Sequence, residues 1–203
     1  MDKAQKIEKL RKQIAACQRC SLAKTRTHTV PGEGDVASKI MFIGEAPGRN
    51  EDLQGKPFVG RAGDIFDELL HSIGLTRNDI YLCNILKCRP PQNRNPSPSE
   101  IQACKGSLEL QIKLIDPLVI GTLGNFSTQY ILDRFGLPQG KISALRGRIF
   151  DVSTPTGHKK IIPLFHPAVA TYDGSKKDIL LKDFQILKPL LAVQESQLEL
   201  NSL

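Results

Sequence analysis

Residues 38–48, SKIMFIGEAPG, decide the fold. Ile40–Ile43 are four apolar residues in a row without polar alternation, the mark of a short strand buried on both faces. The run then breaks into a Gly/Pro loop. A strand covered on both faces needs helices above and below it, and the chain supplies them. Upstream, IEKLRKQIAAC (7–17) has the pattern of an amphipathic helix; downstream, RAGDIFDELLHSIGL (61–75) repeats apolar residues at helical spacing and stops at Gly74. IYLCNIL (80–86) is a second strand, followed by the Pro/Asn-rich loop KCRPPQNRNPSPS (87–99). Ser99 and Glu100 open a helix that runs through Cys104 towards Ile115. DPLVIGTLG (116–124) is a third strand entering a glycine turn, with the helix NFSTQYILDRFG (125–136) behind it. GRIFDVS (147–153) and KKIIPLFHPA (159–168) read as the last strands, and SKKDILLKDFQILKPLLAVQ (175–194) as the final helix. Alternating strands and helices imply right-handed crossovers and a mostly parallel, twisted sheet with helices on both faces.

The 203 residues fit one domain, expected over 1–193, with 194–203 as a flexible tail. No apolar run approaches the roughly 18 residues that span a bilayer, and the charged N-terminus lacks the apolar stretch of a secretory signal. A cytoplasmic, monomeric globular protein without a membrane partner is expected. The 28 lysines and arginines exceed the 21 acidic residues by seven, a balance suited to a polyanion such as nucleic acid.

Five cysteines without a signal peptide point to metal or redox chemistry rather than disulfides. Cys17 and Cys20 form a C-x2-C pair that can put two thiolates on one centre, and Cys88 and Cys104 complete a four-sulfur set. Zn2+ and a [4Fe–4S] cluster both satisfy four thiolates, and the spacing leaves the choice open. Either would pin the first helix to the loop after the second strand. Four protein sulfurs leave no open position for chemistry. Cys83, inside the apolar IYLCNIL run, reads as a core thiol.

Three loops follow strands: GEAPG (44–48), CRPPQNRNP (88–96) and HPAVATYDG (166–174). Ligands of open parallel sheets bind beyond the carboxyl ends of the strands, so these loops can converge there. GEAPG with Glu51 and Asp52, KPFVGRAG (56–63), NILKCRPPQNR (84–94), HPA (166–168) and the four cysteines together resemble the family 4 uracil-DNA glycosylases. The resemblance spans roughly residues 10 to 190 in order. It implies a three-layer α/β/α fold with a four-stranded, mostly parallel sheet. It also implies a [4Fe–4S] cluster on Cys17, Cys20, Cys88 and Cys104, and excision of uracil from single- or double-stranded DNA.

An enzyme of that kind must take the nucleotide out of the stack. The resemblance implies Gly44, Ala46, Pro47 and Gly48 around the base and Phe58 as its stacking platform. One carboxamide, Asn84, can donate to uracil O4 and accept from N3–H, a pattern that cytosine reverses. His166 can donate to uracil O2 as charge develops there. Where superfamily members carry a water-positioning aspartate, this chain has Ala46. Glu45 is the nearest replacement for that electrostatic or water-positioning role, and Glu51 the second, unless Glu51 lines the pocket wall near uracil C5. Arg89, Arg94, the Gly124–Asn125 turn, Lys176 and Lys177 are expected to meet DNA phosphates, and Val169 or Tyr172 to fill the gap left by the base. Two other readings share these features: a relative that prefers another deaminated base such as hypoxanthine, and a non-catalytic DNA-binding module built on a metal site.

Overall fold

Side-chain alternation along one strand builds both layers of the core. In the computed structural model, which describes residues 1–190, the strand β2 (Ile40–Gly44) is buried along its whole length. Ile40 and Phe42 face one side, against Phe66, Leu69 and Leu70 of α3 (Arg61–Ser72) and Leu180 and Phe184 of α8 (Lys176–Gln185). Met41 and Ile43 face the other, against Ile7 of α1 (Lys3–Ala15), Leu108 and Ile112 of α4 (Pro98–Ile115) and Ile131 of α5 (Asn125–Arg134). A period of two along the strand thus sorts its residues between two helical layers. The Phe42 ring meets Phe66 edge-on at 5.2 Å and stacks on Phe184 at 5.7 Å.

Among the described residues the sheet has six strands in the order β1-β3-β2-β4-β6-β5. These are β1 (Glu33–Gly34), β2, β3 (Tyr81–Asn84), β4 (Val119–Leu123), β5 (Phe150–Thr154) and β6 (Gly157–Leu164). The inner four run parallel, as expected. The four-strand count is corrected by two antiparallel edges, β1 on β3 and β5 on β6. The first of these is two residues long with no apolar alternation. The second is a hairpin arm whose exposed side chains alternate with covered ones.

Three short helices, α2 (Arg49–Gln54), α6 (Ile142–Leu145) and α7 (Val169–Tyr172), lie in connections where no long periodic run announces them. The fourth helix starts at Pro98 with Ser97 as its cap, one residue ahead of the expected start. Ser97 Oγ accepts from the Glu100 N–H, Glu100 Oε2 accepts in turn from the Ser97 N–H, and proline suits the first helical position. The final helix is described as α8 to Gln185, so the expected 194–203 tail lies outside the described residues. Among the described residues no helix is long and apolar enough to cross a membrane.

Candidate active site

Strands β2, β3 and β6 deliver Gly44, Asn84 and the segment leading to His166 to one end of the sheet, and a cleft of about 740 Å³ opens there. Its lining includes Glu45, Ala46, Pro47, Gly48, Glu51, Phe58, Asn84 and His166, so residues read from four separate motifs share one space. Gly44 lies beneath them. A Cβ there would stand 2.3 Å from Asn84 Oδ1 and 2.9 Å from Phe58 Cζ, so only glycine lets the carboxamide and the ring approach each other.

Asn84 is buried at the end of β3, and among the described residues its Oδ1 has no hydrogen-bond partner. A buried carbonyl oxygen without a donor is costly in a finished structure and suits a site that a ligand completes. Its backbone is held from below, because the buried Lys87 ammonium donates to the Asn84 carbonyl at 2.5 Å.

His166 follows β6, and its Nδ1 accepts from the Ala168 N–H at 3.1 Å. That bond places the ring proton on Nε2. Burial pushes the imidazole down to a pKa of about 4, so it is neutral at physiological pH and can only donate through Nε2–H. The Phe58 ring lies nearly parallel to it, 19° apart with centroids 5.4 Å apart.

The two acidic candidates differ in their surroundings. Burial pushes the Glu45 carboxyl above its usual range. Glu51 Oε1 accepts from the N–H groups of Val59 (3.0 Å) and Gly60 (3.2 Å), which fixes the loop after Phe58. Its other oxygen lies beside Gly48, where a Cβ would stand 2.7 Å away.

The residues expected to meet DNA are dispersed. Arg94 lines the cleft, and its guanidinium grips Glu100 through Nη1 (2.9 Å) and Nη2 (2.6 Å). This pairing and the helix cap hold Glu100 down to a pKa of about 2. Arg89 bonds Asn93 Oδ1 at 2.7 Å. The Gly124 N–H is already bonded to the Leu164 carbonyl, and Asn125 Oδ1 accepts from Ile142 N–H. Lys177 pairs with Glu68, and Lys176 lies 3.9 Å from Asp173. Of the two gap-filling candidates, Val169 packs against the core, whereas Tyr172 is 92% exposed at the cleft.

A second, smaller cavity is lined by Cys17, Cys20, Cys88 and Cys104 together. The end of α1, the loop after β3 and α4 therefore meet at four sulfurs. Arg19 Nε donates to Cys17 Sγ at 3.3 Å, and Arg26 Nη1 to Cys88 Sγ at 3.2 Å. Burial raises Cys17, but the Arg19 hydrogen bonds and charge outweigh it and the thiol falls below its ordinary value. Burial dominates at Cys88 and Cys104, which are raised. Among the described residues no three Cys, His, Asp or Glu side chains stand close enough to grip a single ion. Cys83 is a fully buried core thiol.

Two residues of consequence escape a reading of the sequence. Lys87 reads as one more loop cation beside Arg89 and Arg94, yet it is buried under the cleft; its position three residues after Asn84 in an apolar run is the only signal. Arg77 carries no motif at all and becomes the hub of the Phe58 loop.

The sequence profile of the Uracil DNA glycosylase superfamily matches residues 31–188. The type-4 uracil-DNA glycosylase of Archaeoglobus fulgidus is 41% identical over 192 residues, covering 95% of this chain and 96% of the relative. That of Saccharolobus solfataricus is 43% identical over 89% of this chain and 84% of the relative. That of Thermotoga maritima is 40% identical over 91% and 94%. The chain belongs to the uracil-DNA glycosylase superfamily, among its type-4 members.

Proposed function

We propose that this family member removes uracil from DNA by hydrolysing its N-glycosidic bond, leaving an abasic site. The observation that carries the reading is the unpartnered Asn84 Oδ1, buried in the same cleft as the Nε2–H of a neutral His166. Uracil N3–H would satisfy that oxygen, and the carboxamide N–H would reach O4. Cytosine offers an acceptor at N3 and a donor at N4, so both bonds would become mismatches. Leaving buried polar groups unpaired supports discrimination on the order of 10⁴-fold.

The base enters flipped from the stack and lies against Phe58. As the glycosidic bond lengthens, negative charge grows on uracil O2 and positive charge on the sugar. His166 meets the first with a donor whose orientation is fixed by Ala168 in advance, an arrangement worth roughly 10²–10³ in rate. Glu45 serves the second, as a carboxylate in the cleft that orients water or balances the cation. Ala46 can do neither. Tyr172, exposed at the cleft, is the better candidate for filling the gap in the duplex.

The same reading assigns a [4Fe–4S] cluster to Cys17, Cys20, Cys88 and Cys104. The residues fit it: four thiols share one cavity, with arginines donating to two of the sulfurs. When bound, the cluster supplies a cross-link among α1, the loop after β3 and α4, and no open coordination position.

The proposal is tested with oligonucleotides carrying uracil, hypoxanthine, cytosine or thymine at one position. Release of uracil far above the other bases supports it. Preferential release of hypoxanthine favours the other deaminated-base reading, and release of none leaves a DNA-binding module.

A further inference from the structure

Phe58 has a backbone φ of +53°, a left-handed conformation that a bulky aromatic residue rarely adopts. Something must hold it there, and the holding group is visible. Arg77 Nη1 donates to the Pro57 carbonyl at 3.0 Å and Nη2 to the Phe58 carbonyl at 2.5 Å. The guanidinium is itself fixed, by Asp67 on its Nε at 2.6 Å and Glu33 on its Nη1 at 3.1 Å. Arg77 begins a short 3₁₀ turn, Arg77–Asp79, whose capping residue Thr76 exchanges hydrogen bonds with Asp79.

The peptide after Phe58 is enclosed from other directions too. A Cβ at Gly63 would come within 1.9 Å of the Phe58 oxygen, so the first turn of α3 reserves room for that carbonyl. Beyond it, Glu51 takes the N–H groups of Val59 and Gly60. Carbonyls on one side are therefore tied to a cation, and N–H groups on the other to a carboxylate. Arg77 does not line the cleft.

We propose that Arg77 is a positioning residue for base recognition, holding the Phe58 ring beside His166 by gripping the Pro57 and Phe58 carbonyls. The inference rests on the reading of Phe58 as the platform for the base. Arg77 is suited to this because a planar fork can address two carbonyls and two carboxylates at once, whereas a lysine ammonium is a single point of contact.

The test is a double-mutant cycle on the full chain, with steady-state uracil release, read as kcat/KM and KM, as the readout. Arg77→Lys and Gly63→Ala disturb the same peptide from opposite sides, and each is paired with Phe58→Ala. Each single variant is expected to lose at least tenfold in kcat/KM, with KM rising, and in the Phe58→Ala background to change the rate by less than twofold. Gly63→Ala keeps the test open if Arg77→Lys folds poorly. Equal losses with and without Phe58 overturn the proposal, because Arg77 then acts on the fold and not through the ring. A fully active Phe58→Ala variant removes the platform reading and the proposal with it. A parent protein that releases no uracil removes the function itself.

Discussion

Ala168 donates its backbone N–H to Nδ1 of His166, and this one bond decides which edge of the ring faces the cleft as a donor. The neutral tautomer with its proton on Nε2 follows, and burial keeps it neutral down to about pH 4.

Activity is therefore expected to require His166 neutral and Glu45 ionised. As pH falls, Glu45 takes its proton at a higher pH than an ordinary carboxylate, because burial raises it, and the rate declines there. His166 protonates only near pH 4. In single-turnover pH profiles, Glu45→Gln should lower the rate but move the remaining acid limb down towards pH 4. A limb near the ordinary histidine value of about 6.5 that survives in Glu45→Gln contradicts this assignment.

His166→Ala should slow uracil release by roughly 10²–10³, the value of one pre-oriented donor at a developing oxyanion. Asn84→Ala should cost at least about tenfold and erode the preference for uracil over cytosine, as expected when a polar recognition edge is lost. Rates within twofold of the parent would refute these roles.

Gly44→Ala puts a methyl group against Asn84 Oδ1 and the Phe58 ring. Activity should fall on the order of a hundredfold, since misplacement of about 1 Å carries that cost. Kinetics and thermal melting on the same sample distinguish loss of the site from loss of the fold.

The inner sheet was legible because its strands are short apolar runs: IMFI, YLC and LVIG admit no other economical burial. One edge, β5, was legible too, within GRIFDVS; the other was not, since Glu33–Gly34 has no pattern and is a strand only by lying beside β3. The site was legible where function needs a distinctive side chain after a strand, as at Asn84 and His166. Positions that act through the backbone were silent. Neither Arg77 on the Phe58 carbonyl nor Lys87 on the Asn84 carbonyl leaves a trace in residue type. The dispersal of Lys176 and Lys177 into pairs with neighbouring acids was equally invisible, because it depends on which loops meet.

Glu100 links the cysteine loop to α4 through Arg94 and the helix cap. With its carboxyl held at about 2 in the folded chain, it stabilises the fold above the unfolded carboxylate range near 4.3, and that contribution is lost as pH falls towards 2. Glu100→Gln should cost about 1 kcal/mol at neutral pH and less in acid, measured by chemical denaturation. An unchanged difference across that window counts against the pairing.

Protein purified without oxygen is expected to carry four irons and four acid-labile sulfides per chain, and to lose them together with thermal stability on Cys88→Ala or Cys104→Ala. One zinc per chain with no iron would overturn the cluster.

The central claim meets its most direct test in an end-labelled oligonucleotide with a single uracil, incubated with the full chain and then treated with alkali. The expected result is a strand break at the uracil position that depends on the alkali, with no break in the thymine control. Strand breakage no greater than in the thymine control would contradict uracil excision altogether.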